Sequence, residues 1–384
     1  MATSSSPPKP NVGILSIGDM GVGVARLLRH HQYDVFTVGA GRSQHTLDRI
    51  KSAQIKALDN DEALVAESDI ILSIVPPRDA VATAQRAYHA CSSHTAIKRR
   101  NERNSILTSS KLVYIDLNAI SPRTTRSIGA MFSSPQSPSS SRAQGISRSF
   151  SFHRSESEPA DLQPIEVEFL DGGIIGGPPS LREDQTWKRP SVVISGPRHS
   201  EILPRDFIDV LNLKVVGDTI GSASALKACF ASLSKGMIAL SILSFTTAHQ
   251  AGVLPALEEH LKEFNPGALA VAKNGLTGMP PKAYRWVDEM RQINETFVEE
   301  GGFSPDVLKA VEDGGVGGGA AQAGVFEGVA EVYKLIADDT VLGQERVESR
   351  KRGMDVKDVV ECIGEGIKAK KRKLAGEDWK RSWS

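Results

Sequence analysis

Asn11-Val-Gly13-Ile-Leu-Ser16-Ile-Gly18-Asp19-Met20-Gly21-Val-Gly23-Val-Ala25 decides the fold. Val12–Ile17 is a short apolar run suited to a buried strand. Val22–His30 then shows helical spacing. The turn between them follows the dinucleotide-binding fingerprint G-x-G-x-x-G, with Ser16 at the first glycine position. Gly18 would let the backbone approach a pyrophosphate, and Gly21 would let the helix pack close to the strand. The start of the helix, Asp19 and Met20 included, would offer free N–H donors and the positive end of a dipole. A tight strand-to-helix turn without a ligand is the plainer reading of the same residues.

The next strand, Tyr33–Val38, is followed by Gly39-Ala-Gly41-Arg42-Ser43. An NAD site usually places a carboxylate here for the ribose 2′-hydroxyl. Arg42 instead offers a fixed cation with a fork of donors, and Ser43 adds a hydroxyl. That pair suits a 2′-phosphate, so NADP is the expected cofactor. An exposed loop arginine is the alternative.

Further strands are expected at Asp69–Val75, stopped by Pro76-Pro77, at Leu112–Leu117 and at Glu166–Leu170. Ser191–Ser195 and Lys214–Val216 add two more. Strands alternating with helical segments predict a doubly wound, mostly parallel α/β sheet of the Rossmann type over residues 11–217. From about Ile220 helical periodicity takes over, which predicts an all-α domain over 218–367. Residues 1–10 read as a flexible lead-in and 368–384, containing Lys-Ala-Lys-Lys-Arg-Lys, as a solvated basic tail. Two polar stretches, 92–110 and 133–164, read as surface insertions, the second serine-rich and disordered. Arg148 and Arg154 stand three residues before Ser151 and Ser157, a spacing open to phosphorylation. Gly314–Gly324 reads as a helix connection, with close helix packing or a substrate-side loop as the other reading.

Composition narrows the function. Forty-six Lys plus Arg against 46 Asp plus Glu leave no net charge, so no global basic field for nucleic acid exists. Hydrophobic residues at 40% and charged ones at 24% describe an ordinary globular chain. Three scattered cysteines provide neither a disulfide framework nor a zinc module and fit a reducing compartment. The longest apolar stretch, near Gly236–Ala248, falls short of a membrane span, and a cytoplasmic location is expected. No His or Cys cluster has metal-ligand spacing. His30-His31 reads as an exposed helix end, His249 as a packing histidine, and Tyr284 and Trp286 as packing aromatics.

Together these features resemble the beta-hydroxyacid dehydrogenase superfamily, which includes 6-phosphogluconate and 3-hydroxyisobutyrate dehydrogenases. Val75-Pro76-Pro77 looks like the strand end beneath the nicotinamide half of the cofactor. Asp116-Leu-Asn118-Ala-Ile-Ser121-Pro122 is similar to the family's substrate loop, D-x-S-T-x-x-P. Phe169–Gly177 is similar to its D-A-P-V-S-G-G segment. Gly221-Ser-Ala-Ser-Ala-Leu-Lys227 is similar to the helix motif that carries the catalytic lysine. Ser224–Gly236 and Arg285-Trp-Val-Asp-Glu289-Met290 resemble a branch with a phosphogluconate-dehydrogenase-type C-terminal domain.

The resemblance implies an active site in the cleft between the two domains and a homodimer formed by the helical one. It implies that Lys227 moves the proton while hydride passes between NADP and a small hydroxy acid or its keto counterpart. Asn118, Gly172, Gly173 and Lys235 are the expected substrate-binding residues. Gly18, Asp19, Met20, Gly21, Arg42, Ser43, Val75, Pro76 and Pro77 are the expected cofactor-binding ones. Ile175, Phe230 and Ala231 stand in or beside positions that are polar in the family, which predicts a substrate with an apolar substituent rather than a phosphosugar. An imine reductase-like enzyme, and a non-catalytic NADP-binding scaffold regulated through the serine-rich insertion, are the alternatives.

Overall fold

The computed structural model describes residues 9–103, 111–133, 163–197, 202–308, 324–345 and 349–375. The chain divides into two compact units. One comprises the chain up to Val75, Asp79–Asn118 and Thr124–Ala223. The other comprises Pro76–Arg78, Ala119–Arg123 and the chain from Ser224.

Among its described residues the first unit has ten strands: β1 (Val12–Leu15), β2 (Val35–Val38), β3 (Lys56–Leu58), β4 (Ile70–Ser73), β5 (Leu112–Asp116), β6 (Val167–Ile175), β7 (Ser180–Leu181), β8 (Trp187–Lys188), β9 (Ser191–Ser195) and β10 (Leu213–Gly217). Eight form one sheet in the order β10-β9-β6-β5-β4-β1-β2-β3. All neighbours are parallel except β6 and β9. β1, β4 and β5 are buried along their whole length, as expected of central parallel strands covered on both faces. Strand order reverses around β1, between β2 and β4, so the carboxyl ends of β1 and β4 form the switch point where such sheets bind ligands. The α/β unit followed by an all-α unit matches the fold class expected from the sequence.

Several local expectations are corrected. β3 is only three residues long and mostly exposed, too short for a periodic signal. β6 continues past Leu170 through Asp171-Gly172-Gly173-Ile174-Ile175. β7 and β8 form a separate hairpin. A Cβ on Gly23 would lie 3.0 Å from Pro179 and 3.1 Å from Pro178, so this residue's bareness lets the chain before β7 lie on the helix Asp19–His30.

The stretch 92–110 is not simply a surface insertion. Its described part forms the helix His94–Glu102, and Arg100 is buried, donating to the carbonyls of Val65 and Ser68. Arg103 pairs at 2.7 Å with Asp69, which is wholly buried. Residues 134–162, with the serine-rich segment and its Arg–Ser spacings, lie outside the described residues, as do 314–323 of the glycine-rich stretch. The lead-in is fixed at its end, since Lys9 donates to the carbonyl of His31 and pairs with Asp206 at 2.8 Å. The basic tail is helical as far as it is described, because Val356–Leu374 runs through Lys368–Lys373.

The second unit consists of helices: Ser222–Gln250, Leu254–Phe264, Pro266–Gly278, Ala283–Glu299, Val325–Asp339 and Val356–Leu374. Asn265 caps one of them, accepting from Ala268 N at 3.2 Å, with Pro266 at the first helical position. Leu276, Met290, Tyr333, Ile336 and Val359 are completely enclosed in the core. The 29-residue helix Ser222–Gln250 is long and apolar enough, by length and composition alone, to cross a membrane, contrary to the sequence expectation. Ala228, Ala231, Ala239, Ile242 and Phe245 bury one face of it in this core. Leu226, Phe230, Leu233, Met237, Leu240 and Leu243 are exposed along it, three or four residues apart.

Candidate active site

The glycine turn supplies the first half of the site. Ser16 has φ 77°, a left-handed backbone that glycine adopts more readily, so the substituted first position keeps a glycine-like conformation. A Cβ on Gly21 would sit 2.3 Å from the Ser16 carbonyl oxygen, so only glycine lets the helix start this close to the strand. Gly18 is the N-cap of Asp19–His30, no side chain caps it, and a Cβ built there would meet nothing within 4 Å. The helix start is thus left without a side-chain cap and with open room at Gly18, which fits an anionic pyrophosphate. Met20 packs partly buried against the core. Asp19 is engaged by Arg49 at 2.5 Å, which offsets a carboxylate at the anion-binding end of the helix.

Arg42 and Ser43 lie exposed just beyond β2. Ser43 caps the helix Gln44–Ser52, accepting from Thr46 N. Arg42 makes no ion pair among the described residues, and no carboxylate lies between Val38 and Ser43. The pair fits a 2′-phosphate better than a ribose hydroxyl.

At the end of β4, Val75 N donates to Asn118 Oδ1 at 2.7 Å, and Pro76 and Pro77 end the strand. Asn118 Nδ2 donates to Ser73 Oγ at 3.0 Å, and Asn118 N donates to Asp116 Oδ1 at 2.9 Å. Asn118 is thus buried and committed to joining the ends of β4 and β5, rather than held out toward a substrate. Asp116 is fully enclosed and its Oδ2 has no hydrogen-bond partner among the described residues; burial pushes its carboxyl up to about 7.

Gly172 and Gly173 also differ from expectation. They lie inside β6, paired with Ile194 and Val193 of β9, so their backbone belongs to the sheet and not to an anion-binding loop. A Cβ on Gly172 would lie 2.7 Å from Leu117 Cδ2 and 3.0 Å from the Asp116 carbonyl oxygen, which explains the glycine. Asp171 just before them has the clearer role. Its buried Oδ2 accepts from Ser195 Oγ at 2.8 Å, Gly221 N at 2.9 Å and Ala223 N at 3.0 Å. It thereby fixes the turn at Gly221 (φ 109°) and the first turn of Ser222–Gln250, the helix that carries Lys227.

Within the helical unit, Lys227 lines a small, partly open pocket with Ala119, Ile120, Ala228, Ala231, Glu289, Gln292 and Ile293. The loop that supplies Ala119 and Ile120 is tied to the helix Ala283–Glu299. Ser121 N donates to Gln292 Oε1 at 2.8 Å, Ser121 Oγ donates to Glu295 Oε2 at 2.6 Å, and Arg123 pairs with Glu299 at 2.8 Å. Lys227 is half-buried and makes no ion pair among the described residues.

Lys235 is not free to meet an anionic substrate. Its ammonium pairs with Glu289 and lies 4.8 Å from the centre of the Trp286 ring. Tyr333 Oη donates to its carbonyl at 2.6 Å. Burial pushes the Lys235 ammonium down to about 8, although the Glu289 carboxylate opposes the shift. The Lys235, Lys227 and Arg285 cations hold Glu289 below the usual carboxylate range against its own burial. Glu289 is the residue that sequence reasoning missed. It stands within the quoted Arg285–Met290 stretch, but nothing local marks it as the partner of a lysine 54 positions earlier.

Comparison with known proteins agrees with this architecture. Residues 11–97 match the family "NADP oxidoreductase coenzyme F420-dependent", and residues 248–336 match a domain of unknown function, DUF1932. An uncharacterised 28.5 kDa protein of Methanothermus fervidus is 22% identical over 304 residues, covering 79% of this chain and 96% of its own. Among solved structures, 3-hydroxyisobutyrate dehydrogenase from Mycobacterium tuberculosis is 14% identical with a TM-score of 0.54, covering 92% of this chain and 98% of that one. The enzyme of the same name from Salmonella typhimurium is 13% identical with a TM-score of 0.54, covering 92% and 99%. The chain is therefore similar over residues 11–97 to an NADP oxidoreductase domain and over residues 248–336 to DUF1932, and it has the fold of the 3-hydroxyisobutyrate dehydrogenases.

Proposed function

We propose that this chain is an NADP-dependent oxidoreductase acting on a small hydroxy acid or its keto counterpart, with Lys227 as the general acid and base. The observation that carries the reading is Lys227 itself, a lysine without an ion-pair partner among the described residues in the wall of a mostly apolar pocket. The N–H groups after Gly18 would hold the pyrophosphate, and Arg42 and Ser43 the 2′-phosphate. Bound NADP would accept the hydride in oxidation, and NADPH would supply it in reduction. Lys227 would take the hydroxyl proton in oxidation and return a proton to the carbonyl oxygen in reduction. Ala119, Ile120, Ala228, Ala231 and Ile293 would exclude water and favour an apolar substituent on the substrate.

The reading includes a homodimer and a cytoplasmic location. Support for the dimer is the exposed row from Leu226 to Leu243, which a second copy would cover. Support for the location is that Cys91, Cys229 and Cys362 are all free thiols.

The test is a titration with NADPH and NADH followed by turnover assays with hydroxy acids, aldehydes and keto acids. The expected result is tighter binding of NADPH and pyridine-nucleotide-linked turnover of at least one hydroxy acid or carbonyl pair. Absence of binding by both cofactors would overturn the reading.

A further inference from the structure

Glu289 divides its carboxylate between two tasks. One oxygen, Oε2, accepts from the Lys235 ammonium. The other, Oε1, is buried and has no hydrogen-bond partner among the described residues. The side chain is 9% exposed and lines the pocket beside Lys227. A buried carboxylate oxygen without a donor is costly unless something in use supplies one. The surrounding residues do not supply it. Ala119, Ile120, Ala228, Ala231 and Ile293 carry no side-chain donor, and the two donors in the lining, the Lys227 ammonium and the Gln292 amide N–H₂, make no hydrogen bond to it.

We propose that Glu289 Oε1 is the specificity-determining acceptor of this pocket, which selects ligands presenting a hydroxyl or a protonated nitrogen on a small apolar body. The inference rests on the reading of this pocket as the substrate site. It narrows the substrate class to a molecule with an O–H or N–H donor, such as an alcohol, an amine or an iminium, bound ahead of one with acceptors only. Lys235 is the positioning residue. Its ammonium, fixed between Glu289 and Trp286, holds Oε2 and so aims Oε1 at the ligand. In Glu289→Gln the same ammonium requires the amide oxygen, so the amide N–H₂ turns to the pocket and the site changes from acceptor to donor.

The test uses the full chain with 13C-labelled isoleucine methyls, since Ile120 and Ile293 line the pocket and report on its contents. The probes are isobutanol, isobutylamine and isobutyl methyl ether, which share an apolar body and differ in donor capacity. In the wild type, the alcohol or the amine is expected to shift both methyls at least tenfold more tightly than the ether. Binding of only one of the two identifies the donor as O–H or N–H. In Glu289→Gln the preference should vanish or reverse in favour of the ether. The inference is overturned if the ether binds as well as both donors, if neither donor moves the two methyls, or if folded Glu289→Gln keeps the wild-type order. The wild-type comparison decides the matter even if the variant does not fold. A chain that shows donor selectivity here but binds no pyridine nucleotide would refute the oxidoreductase reading and leave the acceptor site standing.

Discussion

Lys235 and Glu289, on two different helices of the C-terminal unit, form a largely buried ion pair, with side chains 16% and 9% exposed. Desolvating two charges costs much of what their attraction returns, so the pair contributes less to stability than to a fixed geometry. Removing one partner is another matter. Lys235→Met strands the Glu289 carboxylate and should lower stability by about 3–5 kcal/mol, while the double variant Lys235→Met/Glu289→Gln should recover much of that loss. Denaturant melts of the three variants check this; additive losses would show that the residues do not act as a pair.

The glycine turn makes a sharper contrast. In Gly21→Ala the new methyl meets the Ser16 carbonyl oxygen at 2.3 Å, so the strand-to-helix turn must shift. A stability loss of about 1–3 kcal/mol and loss of NADPH binding are expected. Gly18→Ala meets nothing within 4 Å, so stability should change by less than about 1 kcal/mol while NADPH affinity still falls, because the methyl occupies the space left for the phosphates. Thermal melts beside NADPH titrations separate the two effects; equal affinity losses explained by equal unfolding would refute the distinction.

Arg42 is expected to set the choice between cofactors. A tenfold preference corresponds to about 1.4 kcal/mol, within reach of one Arg–phosphate contact. Arg42→Ala should bring the dissociation constants of NADPH and NADH together while leaving that of NADH nearly unchanged. A preference that survives the substitution assigns the 2′-phosphate to other residues.

Asp116 provides a pH signature. Its carboxyl is raised to about 7 by burial, with the neighbouring Asp171 adding to the shift and Asn118 opposing it. A raised folded-state pKa means that its contribution to stability is complete below the unfolded value, near 4, and is lost as pH rises through about 7. The stability of the wild type relative to Asp116→Asn should therefore fall between about pH 4 and 7, by on the order of 4 kcal/mol, and level off above. Denaturant melts across that range read the slope; a pH-independent difference would show that Asp116 is ionised throughout.

Which parts of this molecule were legible in the sequence follows from the range of the interactions. β1, β4 and β5 are continuous apolar runs, so each announces itself within a few residues. The glycine turn is likewise local, and Ser16 departs from the pattern without departing from the backbone shape. Gly172 and Gly173 misled because the same glycines serve a loop or a crowded strand, and only the approach of Leu117 distinguishes the two. The polar surface of His94–Glu102 concealed the burial of Arg100, whose partners are carbonyls 32 and 35 residues away. The capping of Ser222–Gln250 by Asp171 and the pairing of Lys235 with Glu289 join residues 50 or more positions apart. A single sequence carries no signal for such pairings.

The proposed function rests on proton transfer by Lys227, and its most direct test is Lys227→Ala assayed for both NADPH binding and turnover. The expected result is a folded variant that binds NADPH as the wild type does and turns over its substrate slower by at least about a hundredfold, in line with the typical contribution of general acid–base catalysis. Turnover equal to that of the wild type would contradict it and place the proton on another residue.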